Sequence, residues 1–154
     1  MLNNINAPAR LPLLSQTAEH ALRAVLYLGR NQERGLIAAT EVAEALGAPP
    51  NYLAKTLRLL ARRGVLKSLR GPHGGFALAL PADAISAAQV VEAVDEVSAR
   101  ANCLLGNRAC DPDNPCEAHA RWETLTRRVL QPMEETSIAE ILGGQARNHE
   151  RDPS

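Results

Sequence analysis

Aromatic side chains are scarce: one Trp, one Phe and two Tyr make up 3% of 154 residues. A core without them must be built from Leu, Val, Ile and Ala, which favours packed helices over an aromatic-rich sheet sandwich. No apolar run approaches the ~20 residues that span a bilayer, and the opening MLNNINAPARLPLL lacks the basic start and long apolar stretch of a secretion signal. These absences predict a cytoplasmic chain with no membrane partner. At 45% apolar and 22% charged, the balance is that of a folded globular protein. The length suits one compact domain with an appended dimerisation element and is short for a multidomain enzyme.

A net charge is also missing, since seventeen basic and seventeen acidic side chains cancel. The cancellation hides an uneven distribution. Residues 1–44 hold four of each sign, residues 45–82 hold six cations and no acid, and residues 83–154 hold seven cations and thirteen acids. The carboxylate-free stretch carries Lys55, Arg58, Arg62, Arg63, Lys67 and Arg70. Such a basic segment on an otherwise acidic protein is the electrostatic footprint of a polyanion-binding surface. The plainer reading is a solvated helix and hairpin.

The order of elements in this stretch sharpens the first reading. Ser15 caps a helix running to about Arg30, with Ala18, Ala21, Leu22, Val25, Leu26 and Leu28 at helical spacing. Thr40 caps a short helix, Glu41 to Leu46, which Gly47 ends. After the rigid Ala48-Pro49-Pro50 turn, Asn51 caps a third helix to about Arg63, with Leu53, Leu57 and Leu60 inward and Lys55, Arg58 and Arg62 outward. Two short helices across a tight turn, the second basic, form a helix-turn-helix whose second helix reads the major groove. VLKSL, RGPHGG and FALAL then alternate as strand, turn and strand, a wing. A nucleotide-binding reading of these glycines fails, because no Lys-Ser/Thr and no helix follow them.

The expected fold is therefore mainly α with a small β-hairpin wing: a winged helix-turn-helix domain over residues 12–82, then dimerisation helices over 83–142, with flexible tails at 1–11 and 143–154. Candidate DNA contacts are Thr40 and the helix starts at phosphates, Asn51 and Tyr52 at base edges, Lys55 and Arg58 one turn on, and Arg70 and His73 at the wing tip in a minor groove or on phosphate. Tyr52 fits the core equally well.

Past Pro81, Ser86 caps the helix AAQVVEAVDEV, and the periodicity then stops over residues 98–115. This loop, extended to 119, contains the pattern C-x6-C-x5-C-x2-H formed by Cys103, Cys110, Cys116 and His119. A long helix from about Glu117 to Thr136 and a short one from Ser137 to Leu142 follow. Metal coordination would supply the ordering energy that this apolar-poor loop lacks. The spacing is wider than that of zinc knuckles, and soft thiolates also suit iron–sulfur clusters. Redox-active thiols and inert thiols are the alternatives.

AEHALRAVLYL, NYLAKTLRLLARRGVL, SLRGPHGGFAL and the cysteine segment running into CEAHARWETL together resemble the Rrf-type (IscR/NsrR-like) winged-helix regulators over residues 12–142. The resemblance implies a homodimer built on the long C-terminal helix, binding to palindromic double-stranded promoter DNA, and an iron–sulfur cluster on Cys103, Cys110 and Cys116. It places a fourth ligand at His119 or, from across the dimer, at Glu19. His119 is preferred, because imidazole binds iron well and the helix start holds it near Cys116. The first cysteine gap has six residues where the family's IscR-like members have five, so a four-iron cluster stands as the alternative to a two-iron one. The implied function is a transcriptional regulator sensing redox, nitric oxide or cluster status; the alternative is a cluster-free thiol switch. An enzyme is disfavoured, because C-x2-C, H-E-x-x-H and paired catalytic carboxylates are all missing.

Overall fold

The computed structural model describes residues 14–95, 113–115 and 117–150. Its helices are α1 (Gln16–Arg30), α2 (Ala39–Leu46), α3 (Pro50–Arg62), α4 (Ala87–Asp95), α5 (His119–Glu135) and α6 (Ile138–Glu150), and a hairpin of β1 (Leu66–Leu69) and β2 (Gly75–Leu78) lies between α3 and α4.

Helix α1 starts where Ser15 Oγ accepts the Ala18 N–H at 3.0 Å and carries a buried stripe from Ala18 to Gly29. It is the hub, packing against α2, α3, α4, α6 and β2. One apolar cluster joins Val25 and Leu28 of α1 to Val42, Leu53, Leu57 and Leu60 of the helix-turn-helix and to Ile85, Val90 and Ile138 beyond it. The segments on both sides of Pro81 therefore share a core.

Two helix starts differ from the expected ones. Helix α2 begins after Ala38, which has extended backbone and no side-chain cap, so Thr40 is its second residue. The cause lies upstream: Ile37 pairs with Phe76, donating to its carbonyl at 2.9 Å and accepting from its N–H at 2.8 Å. That bridge carries the extended chain into the helix. Helix α3 begins at Pro50, whose missing N–H costs nothing at a first helical position. Asn51 thus sits inside the first turn with its side chain exposed.

The hairpin pairs Leu66 with Leu78, Lys67 with Ala77, Ser68 with Phe76 and Leu69 with Gly75. Leu66, Phe76 and Leu78 are buried and fasten the wing to the core. Gly75 has φ 153°, and a Cβ there would lie 2.5 Å from the Ile37 carbonyl oxygen. The close strand-like contact to Ile37 therefore requires glycine.

Reciprocal capping boxes begin the last two core-facing helices. Ser86 N–H donates to Gln89 Oε1 at 2.9 Å and Gln89 N–H to Ser86 Oγ at 3.2 Å. Ser137 N–H donates to Glu140 Oε2 at 2.7 Å and Glu140 N–H to Ser137 Oγ at 3.1 Å. The Ser137 N–H first, and the Ser137 hydroxyl second, which donates to the same Oε2 at 2.9 Å, hold the Glu140 carboxyl below the usual carboxylate range. Helix α6 runs on through Gly143 and Gly144 to Glu150, where the sequence reading ends it at Leu142. The helix formers Gln145, Ala146 and Arg147 follow the pair, and two glycines, at ~1 kcal/mol each relative to Ala, do not stop it.

Candidate nucleic-acid interface and cysteine segment

On α3, Leu53, Thr56, Leu57 and Leu60 are buried, and the opposite face carries Asn51, Lys55, Arg58 and Arg62, all exposed. Their spacing of four, three and four residues aligns them in one stripe, a neutral hydrogen-bonding amide followed by three cations. Arg62 continues the stripe beyond the expected contacts. The signal for it was its helical spacing from Arg58.

Tyr52 turns away from that stripe. Its hydroxyl donates to Thr17 Oγ1 at 2.9 Å, and its ring meets His20 edge-on, with centroids 5.5 Å apart. The half-buried side chain ties the start of α3 to the first turn of α1, which agrees with the core reading of Tyr52. Thr40 is exposed in the first turn of α2. Arg70 and His73 are exposed in the wing turn, where Gly74 N–H donates to the Gly71 carbonyl at 3.0 Å.

A brace between α1 and α2 gave no sequence signal, because its members meet only in the tertiary fold. Arg34 reaches Glu41 through two bonds, 2.6 Å to Oε1 and 3.1 Å to Oε2. The Tyr27 hydroxyl donates to Glu41 Oε1 at 3.0 Å. The Arg34 hydrogen bond first, and the Tyr27 hydroxyl second, hold the Glu41 carboxyl below its ordinary pKa. The brace fixes the first helix of the pair and balances the one carboxylate in its opening turn.

Cys103, Cys110 and Cys116 lie outside the described residues. Among the described residues no three potential ligand side chains converge on a metal position. His119 is half buried at the first position of α5, and Glu19 is exposed in the first turn of α1. The Ser15 N–H at the head of that turn donates to Asp95 Oδ2 at 3.3 Å. The end of α4, from which the chain leaves toward the cysteine segment, is therefore bonded to the start of α1. None of the seventeen residues of α5 is buried, although the helix lies along α4. Leu125 on this helix is 53% exposed. Among the described residues no helix is long and apolar enough to cross a membrane.

Residues 14–144 match the family model Rrf2, described as an iron-dependent transcriptional regulator. The chain is 34% identical over 132 residues to an HTH-type transcriptional regulator of Aquifex aeolicus, covering 84% of this chain and 91% of that protein. It is 29% identical over 132 residues to the HTH-type transcriptional regulator IscR of Klebsiella pneumoniae, covering 86% and 80%. Among solved structures, IscR of T. potens superposes with a TM-score of 0.69 at 18% identity, over 86% of this chain and 87% of that one; at that identity the likeness is one of fold. A helix-turn-helix with a wing, matched over nearly its whole length to regulators rather than enzymes, places this chain in the Rrf2 family of transcriptional regulators.

Proposed function

We propose that the chain is a cytoplasmic, homodimeric regulator that binds palindromic double-stranded promoter DNA and is controlled by an iron–sulfur cluster on its cysteine segment. The stripe of Asn51, Lys55, Arg58 and Arg62 carries the DNA part of this reading. In the major groove, Asn51 at the head of α3 meets base edges, where an amide pairs with adenine N6 and N7. Lys55 and Arg58 reach guanine edges or phosphate. The first turn of α2, with Thr40, offers N–H groups and a hydroxyl to a phosphate, and Arg70 and His73 extend the contact into the flanking minor groove. The exposed face of α5 supports pairing of two copies, which sets two reader helices against half-sites about 34 Å apart.

For the cluster, the donors Cys103, Cys110 and Cys116 with His119, or Glu19 from across the dimer, form a thiolate-rich set of the kind iron–sulfur clusters take. A two-iron cluster is the first choice and a four-iron cluster the second. The fit is supported by His119 opening α5 three residues past Cys116, and by the Asp95–Ser15 bond that joins the end of α4, the last described residue before the cysteine segment, to the turn bearing Glu19. Bound, the cluster would supply sensitivity to oxidants, nitric oxide or iron supply. The protein's part is positional: the same turn of α1 holds Thr17 and His20 against Tyr52 at the head of the reader helix.

The DNA part is tested by titrating fragments selected from genomic DNA at several salt concentrations. Binding should fall with a log–log slope of about −0.9 per phosphate contacted; a flat dependence contradicts it. The cluster part is tested by the visible spectrum, with iron and acid-labile sulfide counts, of protein purified without oxygen. Bands at roughly 300–600 nm are expected of thiolate-ligated clusters. A colourless protein would leave the DNA reading standing and turn the cysteines into a thiol switch.

A further inference from the structure

We propose that Leu69 is an apolar wedge with which the wing enters the minor groove, unstacks one base step and bends the duplex, so that this regulator selects DNA partly by how easily it deforms. The inference rests on the DNA-binding reading above and adds a specificity determinant to it.

Leu69 is the most exposed large apolar side chain among the described residues, at 61%. The rest of the hairpin's large apolar side chains behave differently: Leu66, Phe76 and Leu78 are buried. Register explains the contrast. Leu66 and Ser68 share one face of β1, opposite Leu78 and Phe76, and only Leu66 of this strand is buried, whereas Lys67 and Leu69 share the other face and are exposed. Directly across from Leu69 stands Gly75, which has no side chain to cover it. Leu69 is also the last strand residue before the turn, so it projects beside the tip.

Its surroundings identify the partner. Lys67 lies two residues before it on the same face, Arg70 follows it, His73 is in the turn, and all three are exposed. A protein partner seeking an apolar contact would meet the Lys67 and Arg70 cations, whereas a polyanion gains from them. Three of the five residues from Gly71 to Gly75 are glycine, so the tip is thin enough for a groove about 6 Å wide. Leucine between base pairs, with arginine beside it in the groove, is a combination that kinks DNA by about 20–90° toward the major groove. The deformation is cheapest at flexible pyrimidine–purine steps, and the readout follows from that difference.

The experiment uses the full-length dimer and a donor–acceptor-labelled duplex taken from the genomic fragments that wild type selects, with each step under the flanks changed in turn from TA or CA to a stiff step. Wild type should bend the duplex and lose about 5- to 150-fold in affinity when the wedged step is stiffened, the ordinary range for a damaged site. Leu69→Ala should bind with an unchanged salt slope, lose the bend and become nearly indifferent to the step; Leu69→Met should retain both. Arg70→Ala should lower affinity while keeping the bend and the discrimination between steps. A Leu69→Ala protein that bends and discriminates as wild type does overturns the wedge, and so does a Leu69→Ala change in oligomeric state with DNA behaviour unaltered. Wild-type protein showing no salt-dependent DNA binding overturns the underlying reading together with the wedge, while binding without any bend overturns the wedge alone.

Discussion

Arg70 and Lys55 are both exposed cations, yet their removal should have different consequences. Arg70→Ala at a groove contact should weaken operator binding by about 1–3 kcal/mol, whereas Lys55→Ala, if it meets phosphate, should weaken all sequences alike and make the salt slope shallower by about one. Titration of operator and scrambled duplexes at two salt concentrations separates the two, and unchanged binding by either variant removes that residue from the interface. Tyr52→Phe deletes one hydroxyl bonded to Thr17 and should cost about 0.5–1.5 kcal/mol of stability, measured by urea unfolding. A change confined to base preference, with stability intact, would return Tyr52 to the groove. Gly75→Ala should be more damaging, about 1 kcal/mol or more, because φ is 153° and the new Cβ would collide with the Ile37 backbone. A variant as stable as wild type would mean that the Ile37–Phe76 pairing is dispensable.

Among the elements, those specified by local chemistry were legible in the sequence and those specified by distant contacts were not. Ser15, Ser86 and Ser137 carry their own capping partners within three residues, and the α3 stripe follows from period alone. The starts of α2 and α3 depend instead on the Ile37–Phe76 bridge and on the ring of Pro50, so Thr40 and Asn51 were displaced from the cap positions that their chemistry suggests. The same distinction hid the Tyr27–Glu41–Arg34 brace, whose ends are fourteen residues apart in the chain. That brace yields an acid-side prediction. Glu41 titrates below its ordinary value when folded, so its contribution is present above the unfolded carboxylate pKa, about 4.3, and is lost as pH falls through the depressed folded value. Wild type should therefore lose more stability than Glu41→Gln on acidification across that window. Parallel pH profiles for the two proteins would show that the brace carries no linkage.

Across the described residues, the reader helix and the end of α4 meet at one place, the first turn of α1. Asp95 is bonded to Ser15 on one side of it and Tyr52 to Thr17 on the other. The cysteines, the length of the wing and the basic stretch were visible in the sequence, but this adjacency was not, because it joins residues 80 and 35 positions apart. In the proposed mechanism it offers a short route by which cluster binding on the cysteine segment biases the setting of two reader helices. Coupling of this kind is ordinarily about 1–3 kcal/mol, or 5- to 150-fold in affinity. The direct test is the affinity for one selected operator, without oxygen, of cluster-loaded wild type and of the Cys103→Ser/Cys110→Ser/Cys116→Ser protein, with both confirmed as folded dimers. A difference within that range, in either direction, is what the account predicts; equal affinities would contradict it.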